Sequence, residues 1–328
     1  MTLDSGRWEL SFSMPLVQYT FQPAKSFRFE GEAARRKLEI LRQAGIRWIM
    51  IDGINPLDDA GGQIERIVQT TAPWFEEFGM RVSSFHTAAP YYNRLDRPQE
   101  PVVRNLLENV RLFAPWRPKA FVLHAGTMGC EQEDFDTLPD SMFRHGECDR
   151  MMHMHKQEVD KHGEQAVIAT VAANMKVFAL ESAKHGIALA CENMGDMTAL
   201  GGFDSLGKLV AAVDEPTFGY CLDSGHAWMR GEDPADWIRF AGKKLFTTHL
   251  HDNRGGSKSG PALFEQDEHL SPGFGTIDWR RIIGALDEVG FPGPVNFETE
   301  GWPVGDPLEG YRLAMQYWRV CEKMALGD

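Results

Sequence analysis

The chain is poor in cysteine and cations and has no long apolar run, and each shortage removes a class of protein. Its five cysteines (Cys130, Cys148, Cys191, Cys221, Cys321) are an odd number with no CxxC pair. That pattern excludes a zinc ribbon or a redox pair and suits reduced thiols in a cytoplasmic protein. Lys and Arg number 34 against 47 Asp and Glu, a formal net charge of −13, with no basic run. A polyanion would meet repulsion at long range, so nucleic acid is disfavoured as a partner. No window reaches eighteen consecutive apolar residues, and MTLDSGRWELSFSMPL lacks the charged start and apolar core of a signal peptide. Neither a membrane span nor a secretory leader is expected. No GxGxxG follows any apolar run, which counts against a dinucleotide-binding open sheet.

What is present is a rhythm. Short apolar runs alternate with amphipathic segments: WELSFSM, IRWIMID, MRVSSFH, KAFVLHAG, IALACEN, FGYCLDSGH, LFTTHLH and PVNFETE read as strands. EAARRKLEILRQAG, QIERIVQTTAPWFEEFG, EPVVRNLLENVRLF, SLGKLVAAV, ADWIRFAGKK and WRRIIGALDEVG read as helices between them, and LEGYRLAMQYWRVCEKM as a closing helix. Parallel strands need such crossovers, and eight of them predict a closed (β/α)8 TIM barrel of the α/β class, one domain spanning residues 1–328. At 43% hydrophobic residues, the chain can bury a core of that size. Residues 127–162 break the rhythm with EQEDFD, TLPDSM and DRMMHMHKQEVDKHG. They read as an insertion after the fourth strand, serving as a lid or as a surface on which two copies of the chain could pair.

Six successive strands end in a metal-capable side chain: His86, His124, Glu192, Asp223 with His226 just beyond, His249, and Glu298. In a barrel all these ends open on the face where active sites sit. Singly, a His in SFHTAAP is an ordinary hydrogen-bonded residue, and a Glu before Asn an ordinary strand-end cap. Together they are different, because carboxylates at apolar strand ends such as ALACEN and PVNFET would be buried and charged without a cation. A shared divalent metal is the economical partner. Three carboxylates and one imidazole form a mostly oxygen shell, which suits Mn²⁺, Mg²⁺ or Co²⁺ and tolerates Zn²⁺. Such a metal could polarise a carbonyl while flanking carboxylates move a proton. Asp267 and His269, in the turn-rich QDEHLSPGFGTIDW, can reach the same face.

HTAAPYYN, VLHAG, CENMG, CLDSGHA, HLHDN, DEHLSPGFGTIDW and NFETE, in this order, resemble the xylose-isomerase-like barrels. That group holds sugar isomerases and epimerases together with endonuclease-four-type AP endonucleases. The resemblance implies that Glu192, Asp223, His249 and Glu298 bind one metal, that Glu192 and Glu298 are the acid/base pair, and that His226 contacts substrate. The implied reaction is isomerisation or epimerisation of a small sugar, sugar acid or cyclitol, by proton transfer beside a carbonyl that the metal holds. The endonuclease branch implies the alternative, a zinc-dependent phosphodiester hydrolase in which His86, His124, His226, Asp267 and His269 complete a three-zinc site. The acidic charge speaks against that branch, and Arg94, Arg97 and Arg104 are too few for a basic groove. Arg254 stands five residues after His249, where some epimerases carry an arginine six residues on, and GGSKSG reads as a cover over the site. Of the two histidines in HLHDN, the barrel reading gives His249 to the metal. It leaves His251 a rim residue near substrate, with Asp252 and Asn253 capping the loop.

Overall fold

The computed structural model describes residues 6–20, 26–52, 62–87, 94–124, 156–194, 200–255 and 267–327. Strand β1 (Leu10–Pro15) is followed by a hairpin of β2 (Val17–Thr20) and β3 (Ser26–Phe29). There follow α1 (Gly31–Gln43), β4 (Trp48–Asp52), α2 (Gln63–Phe78), β5 (Arg81–His86), α3 (Glu100–Phe113), β6 (Ala120–Leu123), α4 (Glu164–Ala183) and β7 (Ala188–Glu192). The last part comprises α5 (Phe203–Val213), β8 (Phe218–Asp223), α6 (Ser224–Met229), α7 (Pro234–Ala241), β9 (Leu245–His249), α8 (Trp279–Val289), β10 (Val295–Phe297) and α9 (Pro307–Leu326).

The eight barrel strands pair in parallel in the order β10-β1-β4-β5-β6-β7-β8-β9. The ring closes beyond the last ladder pair: Leu250 N–H donates to Asn296 O (2.8 Å) and Glu298 N–H to Leu250 O (3.0 Å). The (β/α)8 barrel expected from the alternation is therefore the fold, and the β2–β3 hairpin is an addition that the alternation does not announce.

Each strand has both faces covered, which gives near-continuous apolar runs; in β8 all six residues are buried. Helices show the complementary economy. In α8 the buried Trp279, Ile282, Ile283 and Leu286 recur at helical spacing, Asp278 caps the start by accepting from Arg280 N, and Gly290 ends the helix at φ 65°. Helix α4 has the length and apolarity of a membrane span. Its buried Val167, Val171, Met175 and Phe178 instead pack it into the barrel's outer layer.

The seam between first and last strands is aromatic. Phe12 lies 5.1 Å from both Phe297 and Tyr311, and Trp279 and Trp318 sit against Phe297. Deep in the barrel, polar pairs replace branched residues: Ser11 Oγ and Ser83 Oγ are 2.7 Å apart, and Asn296 Nδ2 donates to Ser84 Oγ. They are satisfied by one another, so they fill the interior without the cost of orphaned polar groups. Of the expected insertion, only 156–162 falls among the described residues, and it is helical.

Candidate metal centre

Strand register sets the depth of the site. Asp52 is level with His86, Glu192 with Cys221, and Asp223 with His249. Apart from Cys221 these stand at the carboxyl ends of β4, β5, β7, β8 and β9, and with His124 just past β6 and Glu298 just past β10 seven chemistry-bearing strand ends converge on one mouth.

Glu192, on β7, is the hub of a first cluster. Its Oε2 lies 3.0 Å from His249 Nδ1, 3.1 Å from His86 Nε2 and 3.3 Å from His124 Nε2. Glu298 enters from β10 with Oε2 3.3 Å from the same His249 nitrogen. His86 Nε2 and His124 Nε2 face each other at 2.9 Å. The Glu192 side chain is 1% exposed, while those of Glu298, His86 and His124 are 15%, 15% and 30% exposed, so these three form the open side. Burial alone would raise both glutamates; the His249 imidazole, helped at Glu192 by His124, holds them well below the usual carboxylate range.

A second cluster lies beside it. Asp223 accepts from His251 Nε2 at 3.1 and 3.0 Å through its two oxygens and caps α6 by accepting from His226 N at 2.6 Å. His226 Nε2 and His269 Nε2 each approach Asp267 Oδ2 at 3.1 Å. Burial pushes His226 and His269 down. The carboxylates of Asp223 and Asp267 lift His226 well above its ordinary range, and Asp267 above all lifts His269 to about 10. His269 reaches Asp267 from a left-handed backbone (φ 45°), a strained conformation for a non-glycine residue.

His251 corrects the expected rim position. It is fully buried, because the barrel continues one residue past β9 through the Leu250 bridge, so His249 and His251 both point inward. Arg254 turns away from the cluster to the exposed side, 2.6 Å from Glu268. Gly255 follows it at φ 91°, and the remainder of the GGSKSG stretch lies outside the described residues. Asp252 accepts from Asn253 N, Gly273 N, Ile277 N and Trp279 Nε1 at 2.8–3.2 Å, pinning the turn that carries Asp267 and His269. Arg94 lies near Asp96 and Glu158, not in a basic groove.

Several residues of the centre went unread in the sequence. Asp52, at the end of β4, receives a hydrogen bond from Ser13 Oγ (3.0 Å), and burial with the nearby Glu298 raises its carboxyl. Its signal was its place as the polar end of IRWIMID, masked by the turn-like Asp-Gly that follows. Asn193 grips the backbone of Asp223 twice, donating to its O at 2.8 Å and accepting from its N at 2.7 Å. Ser224 does the same for His251, donating to its O (2.7 Å) and accepting from its N (3.0 Å).

The donor set fits a divalent cation on an observation of its own. Both ring nitrogens of His249, His251 Nδ1 and Asp267 Oδ1 are buried without a hydrogen-bond partner. His249 Nδ1 is close to two carboxylate oxygens, yet aligned with neither for a hydrogen bond. Ligands grouped around a point look like this; donor–acceptor pairs do not.

Comparison with known proteins bears on the fold and the family. The chain overlays a structure of L-ribulose 3-epimerase with a TM-score of 0.66 at 15% identity, covering 98% of this chain and 96% of that one. It overlays 3-keto-D-glucoside 4-epimerase from E. coli at 0.64 and 15%, covering 96% and 100%. These likenesses establish a shared fold. Among curated relatives, an uncharacterized protein of Methanocaldococcus jannaschii is 28% identical over 147 residues, 43% of this chain and 46% of that protein. A probable endonuclease 4 of Mycobacterium tuberculosis is 30% identical over 101 residues, 30% and 38%. These matches span less than half of either relative. The family model described as xylose isomerase-like TIM barrel matches residues 38–321, most of the barrel and every strand end named above except β1, so the chain belongs to the xylose isomerase-like TIM barrel family.

Proposed function

We propose that the protein is a metal-dependent isomerase or epimerase of a small sugar-type substrate (a keto-sugar, a sugar acid or a cyclitol), moving a proton on the carbon next to a carbonyl. One observation carries this reading. Two carboxylates, Glu192 from β7 and Glu298 from β10, approach one imidazole nitrogen of His249 at 3.0 and 3.3 Å with two strands between them. Glu192, Asp223, His249 and Glu298 would hold the cation, which supplies Lewis-acid polarisation of a substrate carbonyl.

The chain's own groups do the rest. Both glutamates are ionised at neutral pH, so either can accept a proton. Because they enter from different strands, one can take the proton from one side of a carbon and the other return it from the opposite side, which inverts that centre. Return to the neighbouring atom gives isomerisation instead. His86 and His124, on the open side, offer ring N–H groups to substrate hydroxyls, and the buried surround keeps bulk water from competing for the proton.

The sugar epimerases that share the fold support the substrate class. The test is solvent exchange: with Mn²⁺, Mg²⁺, Co²⁺ or Zn²⁺ supplied, a ketose panel in deuterated water should take up deuterium next to the carbonyl. Absence of exchange and interconversion across the panel would overturn the proposal.

A second reading, hydrolysis of phosphodiesters, is favoured by one specific feature, the convergence of His226 and His269 on Asp267 beside the first cluster. The net charge of −13 opposes a nucleic-acid substrate. Three zinc ions per chain with cleavage of an abasic duplex would favour this reading over the first.

A further inference from the structure

The order of strands divides the mouth into two halves. Glu192, Asp223, His249 and Glu298, the groups proposed to hold the cation, come from β7, β8, β9 and β10, which are consecutive around the closed barrel. The other half, β1, β4, β5 and β6, carries Ser13, Asp52, His86 and His124 at or near its strand ends. A substrate whose carbonyl lies on the cation therefore extends over this second half. The carboxylate it meets there is Asp52.

Alternation along the strands fixes where Asp52 points. Ile49 and Ile51 join the core shared with the helices, so Asp52 faces the barrel interior. On β1, Ser11 Oγ meets Ser83 Oγ inside the barrel. Ser13, two residues on, lies on the same face one layer nearer the mouth, and its hydroxyl donates to Asp52 Oδ2 at 3.0 Å. Asp52 stands level with His86 on the neighbouring strand. Among the described residues no other group hydrogen-bonds to its carboxylate, and the residue is half-buried, which leaves Oδ1 for a ligand.

The charge at this place selects. A carboxylate accepts strongly from a hydroxyl and repels an anion. The leading charges that act on Asp52 are those of Glu298, His86 and His249, with no lysine or arginine among them. Cations on the surrounding loops and helices have acidic partners of their own: Lys37 pairs with Glu300, Arg254 with Glu268 and Arg94 with Asp96.

We infer that Asp52, braced by Ser13, binds a hydroxyl on the part of the substrate remote from the reacting carbonyl, and so selects an uncharged sugar over one that bears a phosphate or carboxylate there. The inference rests on the isomerase reading and narrows its substrate class. Asp52 acts here as a specificity residue and moves no proton on the reacting carbon, so its loss should fall mainly on KM.

The experiment uses the full-length, metal-loaded protein with neutral ketoses and the same ketoses phosphorylated at the terminal hydroxyl, following deuterium exchange and interconversion. In the most active pair the neutral sugar should have the higher kcat/KM, by about a hundredfold or more. Asp52→Ala should raise KM for that sugar by about tenfold or more, with the smaller share of the loss in kcat and metal content as in wild type. Asp52→Asn keeps the shape and removes the charge. It should narrow the preference for neutral over phosphorylated sugar by about tenfold or more. If Asp52→Ala melts early, Asp52→Asn decides. A wild-type preference for the phosphorylated sugar, an unchanged preference in Asp52→Asn, or a loss carried by kcat alone would overturn the inference while the isomerase reading stood. Absence of exchange with every ketose, neutral or phosphorylated, would instead overturn that reading and this inference with it.

Discussion

At the level of single residues, the proposed chemistry rests on two glutamates whose environments differ. Glu192 is sealed beneath three imidazoles, while Glu298 keeps 15% of its side chain exposed at the mouth. Glu298→Gln preserves shape and removes the proton acceptor together with one charged metal ligand. Turnover on any active ketose should fall by about 10²–10⁴ with metal in saturating excess; a variant that keeps its rate would remove Glu298 from the acid/base pair. His269 gives a pH prediction with a definite sign. Its imidazole is raised from 6.5 to about 10, so in the metal-free chain it is charged at neutral pH. Its contribution to stability is then complete below pH 6.5 and lost as pH rises through about 10. A cation must displace that proton, so zinc uptake in weak buffer at pH 7.5 should acidify the solution, and affinity should climb with pH. Uptake without proton release would contradict the His269–Asp267 pairing. The strand-end residues were legible singly because each closes an apolar run. His251 was misplaced because the ladder was taken to stop at His249, and the closing bridge at Leu250, a contact with a distant strand, cannot be seen in local sequence.

Among the elements, the eight strands and their helices could be read in advance because burial on both faces writes a continuous apolar run and burial on one face a helical stripe. The β2–β3 hairpin has neither signature: four-residue strands within Val17–Phe29 are too short to show a period. Loops carry least pattern, yet one loop is fixed by a single side chain. Asp252 accepts four hydrogen bonds, three of them from the segment Gly273 to Trp279, within the same turn as Asp267 and His269. Asp252→Ala strands the buried donors at once and should cost roughly 3 kcal/mol or more. Chemical denaturation would measure that loss, since the turn presenting Asp267 and His269 is loosened. A variant as stable as wild type would mean that water replaces the carboxylate without cost.

For the whole molecule, the most expensive charges are gathered in one place, since Asp52, Glu192, Asp223, Asp267 and Glu298 all sit at one barrel mouth. Like charges in a low-dielectric site repel strongly. In the metal-free chain imidazolium partners such as His226 and His269 offset that repulsion. Two consequences oppose each other with pH. Raising pH removes those protons and leaves the carboxylates facing one another, so the chelator-treated protein should lose stability steadily above neutrality. With cations bound the carboxylates stay paired, and the loaded protein should hold its melting temperature over the same range. At a free cation concentration a hundred times the dissociation constant, loading should add about 2.7 kcal/mol to the folded state. Thermal melts of chelated and zinc- or manganese-loaded protein from pH 6 to pH 10 would read this directly. The gap between the two curves should widen as pH rises. A constant gap, or a chelated protein as stable as the loaded one, would mean that the mouth tolerates its carboxylates without a cation, and the metal-dependent reading would lose its physical basis.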